Sequence, residues 1–342
     1  MRARPSYPPL RSALLPGAAA ALSLLCASVT SCGNDIPDTG SDAGGGSGGG
    51  TGGGSGGGSG GGSAGSGGGF APGADAGSIG LDGGSVDHLF FAVVGDSRPA
   101  NIDDTTDYPT AVITKIYQEM EALSPRPQFV VGTGDYMYSN VTANTAAPQA
   151  ALYMQARAAY TGSFFPAMGN HECDGYTADN CTVGQTQNNQ AFMSAILGPS
   201  GQSLPYYSIP MRANDGSWTA KLLVIACNAW DSTQQSWLTT QLASSTTYTL
   251  LVRHEPAEAN TGPCVNAVET MMTTSQYDLS LVGHTHDFKG SARSKEIVVG
   301  NGGAPLSGGN FGYVTVEKIP AGWLIQNFDY STNLAVDSFV IP

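Results

Sequence analysis

Apolar positions along most of this chain fall in short runs, separated by stretches with helical spacing. Residues 89–94 form a compact apolar run that stops at Gly95-Asp96, and residues 128–131 form another that leads into Gly134-Asp135. Runs of this length that end at glycine read as buried strands. Between them Val112, Ile113, Ile116, Met120 and Leu123 recur three or four positions apart before Pro125, which predicts a helix over 110–123. A second helix is predicted near 149–160, after which Phe164-Phe165 leads through Pro166 towards Gly169-Asn170. Residues 221–226, 249–252 and 279–282 read as further strands, with helical stretches near 234–242 and 267–272. Beyond His286 the pattern changes, and 296–299, 313–317, 323–328 and 335–340 read as strands joined by turns. Alternating elements followed by a β-rich end predict an α/β fold in which two mixed sheets stack and helices flank them.

The N-terminal region follows a different pattern. Arg2, Arg4 and Arg11 precede an apolar run at 13–29 that Pro16 and Gly17 interrupt. The run is too short and broken for a spanning helix and reads as an export signal. It ends Val29-Thr30-Ser31-Cys32, and small residues before a cysteine resemble the lipobox of bacterial lipoproteins. Cys26 fits worse, because Leu25 is too large for the position before the cut. Residues 1–32 are therefore expected to be a signal peptide, with Cys32 acylated as the new N-terminus; plain secretion is the alternative. Residues 33–85 are expected to be a disordered tether, since 44–69 are almost wholly Gly and Ser. Such a segment cannot bury enough surface to offset its ordering entropy. As a flexible coil of about 50 residues it would reach roughly 35–40 Å. The expected location is the bacterial cell envelope or surface, with membrane contact only through the lipid. Residues 86–342 remain as the folded domain, long enough for a sizeable core.

Charge and cysteine usage narrow the class. The chain carries 14 basic and 27 acidic residues, and loss of the leader's three arginines would leave 11 against 27. So acidic a surface argues against nucleic acid as main partner. Cys173, Cys181, Cys227 and Cys264 lie in the expected domain, and an even number in an exported protein favours disulfides. Cys173 and Cys181 bracket a short polar loop and are the first expected pair, with Cys227–Cys264 following. Metal binding by these thiols is disfavoured, because no close Cys-x-x-Cys pair exists.

The chemistry concentrates in a few motifs. Four of five histidines lie in Gly169-Asn170-His171-Glu172, Arg253-His254-Glu255 and Gly283-His284-Thr285-His286. Each motif follows a predicted strand, as do Asp96 and Asp135, and ligand sites gather at the carboxyl ends of strands in open α/β sheets. An isolated Asp in such a place is usually a cap or turn former. The spacing Asp135-x-x-Tyr138, however, lets one turn aim both side chains at one ion. His284 and His286, two apart, are expected on one side of an extended segment. His88 precedes the first strand and is expected to be incidental. This ordered set of oxygen and nitrogen donors has the makings of a two-metal site, a recurring device for displacement at phosphorus.

Together, Gly-Asp, Gly-Asp-x-x-Tyr, Gly-Asn-His-Glu, a strand-borne His and Gly-His-x-His resemble the calcineurin-like metallophosphoesterases, and within them the purple acid phosphatases. The resemblance covers essentially all of 86–342, and residues 300–304 look like the glycine turn that often follows the last motif. It implies a four-layer α/β/β/α sandwich. It further implies that Asp96, Asp135, Tyr138 and His286 hold a first metal, an Fe(III) in the purple enzymes. Asp135, Asn170, His254 and His284 would hold a second, a divalent Fe, Zn or Mn, with Asp135 bridging. His171 would stay free of metal and face the leaving group as general acid, its other nitrogen held by Glu172 or Glu255.

One departure stands out: Arg98 occupies a place where the first motif commonly has His or Gly. A guanidinium cannot ligate a cation, so Tyr138 is the natural substitute. Arg98 is expected either to contact substrate phosphate, which its planar fork matches, or to pair with Asp103 or Asp104. The expected function is an exported phosphoester hydrolase that uses a metal-activated water for in-line attack. Phosphomonoesters are the leading substrates and phosphodiesters follow closely. The alternative from another class is a surface lipoprotein that binds metal or phosphate without turnover. Residues 136–146, 174–190 and 257–265 are the expected pocket walls.

Overall fold

The computed structural model describes residues 77–342; the expected leader and most of the tether lie outside the described residues. Along the chain run β1 (Gly84–Val86), β2 (Phe90–Val94), α1 (Thr110–Ala122), β3 (Phe129–Gly132), α2 (Ala146–Arg157) and β4 (Ser163–Pro166). After α3 (Gln187–Ala191) come β5 (Tyr207–Ala213), β6 (Thr219–Val224), α4 (Ser232–Ala243), β7 (Tyr248–Val252), α5 (Val265–Thr274) and β8 (Leu279–Val282). The chain closes with β9 (Phe288–Lys289), β10 (Glu296–Val299), β11 (Gly312–Ile319), β12 (Gly322–Asp329) and β13 (Leu334–Ile341).

These strands make two mixed sheets, as the sequence pattern predicts. One has six strands in the order β13-β12-β11-β2-β3-β4, and the other seven in the order β1-β5-β6-β7-β8-β10-β9. In the first, β2, β3 and β4 run parallel. In the second, β6, β7, β8 and β10 run parallel. Each parallel set therefore delivers its strand ends to one edge.

The layering follows from the two-residue period of a strand. On β6 and β7, Leu222, Val224, Leu250 and Val252 join the main core that both sheets share. Their neighbours Leu223 and Leu251 turn the other way, into a second cluster with Leu238 of α4 and Val265, Val268 and Met272 of α5. The first sheet repeats the scheme. Phe164 faces Tyr117 of α1 and Tyr153 of α2. Phe165 and Phe91 pack instead against Phe129. Helices thus cover each sheet, and the apolar runs are strands buried on two faces.

Several boundaries differ from expectation. The fold begins before residue 86: Ile79 is buried in the core, its carbonyl accepts a hydrogen bond from Ser163 Oγ, and β1 pairs with β5. The described end of the expected tether therefore belongs to the domain. Ile79, within a glycine-rich stretch, is the buried side chain of that segment. Strand β5 is absent from the sequence-based pattern, although Tyr207, Ile209, Met211 and Ala213 alternate inward; Pro210 obscures it, since proline usually marks an edge. Helix α3, which runs on into a wide turn at Phe192–Leu197, occupies part of what was expected to be loop. Both expected disulfides are present, Cys173–Cys181 and Cys227–Cys264. Among the described residues no helix is long and apolar enough to cross a membrane.

Candidate metal centre

Five parallel strands deliver the motif residues to one place. Asp96 follows β2, Asp135 follows β3, Asn170 follows β4, His254 follows β7 and His284 follows β8. The two sheets meet here through specific bonds. The His284 backbone N–H donates to Asp96 Oδ2 at 2.8 Å, and Thr133 Oγ1 donates to the Val299 carbonyl at 2.9 Å.

The turns that carry these residues are tight. Asp96, Asp135, His284 and His286 have φ of 55°, 58°, 76° and 55°. Left-handed backbone is uncommon outside glycine, is tolerated best by Asn, Asp and His, and clusters at functional sites. His284 and His286 thus do not lie on one side of an extended segment, as their spacing led us to expect. Each sits in its own left-handed turn and serves a different group of side chains.

The first group is compact. Asn170 Oδ1 lies 3.1 Å from His254 Nε2 and 3.1 Å from His284 Nδ1. His254 Nε2 lies 3.3 Å from Asp135 Oδ1 and 3.2 Å from His284 Nδ1. The outer atoms fix these orientations. His254 Nδ1–H donates to the Thr133 carbonyl at 2.8 Å, which turns Nε2 inward. Asn170 Nδ2 donates to the Gly175 carbonyl at 2.8 Å, which turns Oδ1 inward. Four donor atoms suited to a cation therefore converge. Such partners on the far side of a ligand are how proteins orient metal-binding side chains.

The second group shares Asp135. Asp96 Oδ1, buried and without a hydrogen-bond partner, lies 3.6 Å from His286 Nε2. His286 Nδ1–H donates to the Pro305 carbonyl at 2.9 Å. Asp135–His254–His284 and Asp96–Asp135–His286 each place their ligand atoms within 4.8 Å of one another. Candidate metal-ligating clusters consistent with a two-metal site are thus present. Tyr138 packs its ring edge-on to His171 at 4.7 Å and under the Arg98 guanidinium at 4.4 Å.

Electrostatics follow the burial of these groups. Burial pushes the Asp96 carboxyl well above the carboxylate range. Burial works against the charge on Asp135 too, but His254, His171 and Arg98 outweigh it and hold its pKa well below the ordinary value. Burial likewise opposes charge on His254, yet Asp135 raises its pKa well above that of a free imidazole. His284 and His171 are each pushed down to about 4, chiefly by burial.

Glu172 and Glu255 do not hold the His171 ring, contrary to expectation. Glu172 accepts the backbone N–H groups of Asp135, Tyr136 and Gly169 at 2.9, 2.9 and 2.8 Å. It thereby clamps two ligand-bearing turns together. Both Glu255 oxygens and His171 Nδ1 have no hydrogen-bond partner. His171 Nε2 sits 3.8 Å from Asp135 Oδ2, and its backbone N–H donates to Asp135 Oδ1 at 3.1 Å.

Arg98 does not pair with Asp103 or Asp104. Asp103 accepts the Asn140 backbone N–H at 2.8 Å. Asp104 accepts the backbone N–H groups of Thr106 and Asp107, each at 2.9 Å, and so closes a local turn. The guanidinium turns inward instead. His88, as expected, lies apart from the site and contacts Glu317 at 2.9 Å.

Residues not foreseen from the sequence are those that support ligands through the backbone. The carbonyls of Thr133 and Pro305 orient two imidazoles, and any residue type supplies a carbonyl. The 300–304 turn, which the sequence did single out, secures the Asp96 loop, with Gly302 N–H donating to Gly95 O at 2.8 Å and Ala304 N–H to Asp96 O at 2.7 Å. Of the expected wall segments, 174–190 reaches the site through Thr177 Oγ1, 3.4 Å from His284 Nε2.

A family model described as calcineurin-like phosphoesterase matches residues 91–288, more than half of the chain. Among solved structures, the fold is similar to a purple acid phosphatase, PPD1, isolated from yellow lupin (Lupinus luteus) seeds. That likeness has a TM-score of 0.52 and 17% identity, and covers 74% of this chain and 53% of that one. The present chain thus spans about half the length of the lupin protein. It is also similar to GAP50, the anchor in the inner membrane complex of Plasmodium, with a TM-score of 0.50, 13% identity, and coverage of 74% and 88%. At these identities the likeness is one of fold. No curated protein sequence matches.

Proposed function

The chain belongs to the calcineurin-like phosphoesterase family, and from that premise we propose that it is a metal-dependent phosphoester hydrolase acting foremost on phosphomonoesters. The carrying observation is the convergence of Asp135 Oδ1, Asn170 Oδ1, His254 Nε2 and His284 Nδ1. Oxygen and imidazole donors of this kind suit a divalent Zn, Mn or Fe. The buried carboxylate that holds a proton on His254 would equally hold a cation in that proton's place. A cation bound there supplies charge neutralisation for phosphate and lowers the pKa of water.

The chain's own residues do the rest. Asp135 faces both groups and orients them relative to each other. His171, buried beside it and free of the ligand cage, is placed to pass a proton to a departing oxygen. Thr177, on the loop that the Cys173–Cys181 disulfide staples, approaches the cage at His284. We further propose that the protein works outside the cytoplasm, as a lipid-anchored or secreted enzyme. Its two disulfides support that reading, because such bonds persist in oxidising compartments.

The test is to purify the protein without chelator and to measure metal content together with hydrolysis of aryl phosphate monoesters and diesters. Metal-dependent turnover, lost on chelation and regained on adding Zn or Mn, is expected. A folded, metal-replete protein inactive on both classes would replace this reading with metal or phosphate binding alone.

A further inference from the structure

Arg98 is the residue that neither the strand-end motifs nor the family pattern accounts for. Its Nη2 donates to His286 Nε2 at 3.3 Å, and its Nε lies 3.9 Å from Asp135 Oδ2. The guanidinium lies over the Tyr138 ring at 4.4 Å from the centroid, and Nη1 donates to the Pro99 carbonyl at 3.2 Å. It is therefore held on several sides, in the middle of the second ligand group.

That position has a consequence for the donors around it. His286 Nδ1–H is committed to the Pro305 carbonyl, so Nε2 carries the ring's only lone pair. A lone pair that accepts a hydrogen bond from Arg98 cannot also bind a metal. Tyr138, the other expected ligand, presents its ring face to the same guanidinium. Asp135 turns Oδ1 to the first cage and Oδ2 towards Arg98 and His171. Of the second group's expected donors, Asp96 Oδ1 is left without a partner. A dication placed among these groups would also face a fixed positive charge that cannot be removed by deprotonation.

We propose that the Arg98 guanidinium takes the place of the second cation, so that the site holds one metal ion, in the Asp135–Asn170–His254–His284 cage. Arg98 supplies the neighbouring positive charge from the protein itself. Its Nη1 and Nη2 each keep one further N–H, beyond the bonds to Pro99 and His286, for the oxygens of a phosphate. The inference rests on the proposed function, since it presumes that the first cage is loaded.

Metal stoichiometry tests it without relying on turnover. The wild-type protein and the variants Arg98→His, Arg98→Ala and Asp96→Asn are purified without chelator and dialysed against Zn or Mn. Bound metal per folded chain is then measured by elemental analysis, with circular dichroism confirming the fold. One ion per wild-type chain is expected, unchanged in Asp96→Asn and rising to two in Arg98→His. Two ions per wild-type chain, falling to one in Asp96→Asn, would overturn the inference while leaving the proposed function intact. One ion in wild type and in both Arg98 variants would also overturn it, because the guanidinium would then not be what excludes the second ion. A folded wild-type chain that takes up no metal would remove the proposed function as well.

Discussion

Gly169 offers a sharp test of how the cage is built. Its φ of −98° is open to any residue, so replacing it introduces no backbone strain. The effect of Gly169→Ala must therefore come from contact. A Cβ there would lie 2.3 Å from Asp135 Oδ1, 2.6 Å from Asp135 N and 3.0 Å from Glu172 Oε2. Non-bonded heavy atoms settle near about 3.5 Å, so the Asp135 carboxylate must retreat by roughly 1 Å. Its backbone cannot follow freely, because Glu172 pins Asp135 N–H and Gly169 N–H together. Overpacking of this kind costs about 1–3 kcal/mol, partly offset by about 0.4–1 kcal/mol from a stiffer unfolded chain. The net loss, about 1–2 kcal/mol, corresponds to a fall in Tm of roughly 2–8 °C for a domain of this size. Because the displaced oxygen is a proposed ligand, metal affinity should weaken about 10–100-fold as well. Gly308 is the control: a Cβ there meets nothing within 4 Å, so Gly308→Ala should be neutral or slightly stabilising. Urea unfolding and metal titration on both variants would decide. If Gly169→Ala matches Gly308→Ala in both, the close approach of the two ligand-bearing turns is not what shapes the cage.

Other outcomes are expected. Asp135→Asn and His284→Ala should each abolish turnover and lose metal, and normal activity with undiminished metal in His284→Ala would sink the assignment. His171→Ala should slow hydrolysis by about 10²–10⁴-fold with metal content preserved; elemental analysis beside steady-state kinetics separates the two roles. Removing Cys227–Cys264, which closes a separation of 37 residues, should cost about 4 kcal/mol by loop entropy. Removing Cys173–Cys181, with a separation of 8, should cost about 2.5 kcal/mol. Double-serine variants in urea test that order. The smaller loop, which carries Thr177 to His284, should nevertheless have the larger effect on KM.

Much of the fold was legible because its signals are local. The apolar runs before Asp96, Asp135, His254 and His284 are strands buried on two faces, and their length, with the glycine that precedes Asp96, Asp135 and His284, appears in the chain itself. The helical spacing at 110–123 survives as α1 with a shift of one residue at its end. Where local signals conflicted, the reading failed. Pro210 masked the inward alternation of β5, and the glycine-rich surroundings of Ile79 hid a buried anchor.

Residue types at strand ends were thus determined by the sequence alone, as were the candidate ligands and the cysteines available to pair. Their division among two groups, which the family resemblance implied, rests on turn geometry that only the tertiary structure shows. His284 and His286, two positions apart, part company because each turn is left-handed, and no spacing rule for extended chain anticipates that. Glu172 serves backbone N–H groups from two separate turns, a role visible only when β3 and β4 lie side by side. Arg98 reads in the chain as a departure with two alternative partners; packing against Tyr138 and His286, 40 and 188 positions away, settles where its charge lies. The physical reason is common to all three. A short segment sets its own conformation through propensity and hydrogen bonding, whereas a site's charge balance depends on groups that only sheet order and side-chain packing bring within a few ångströms.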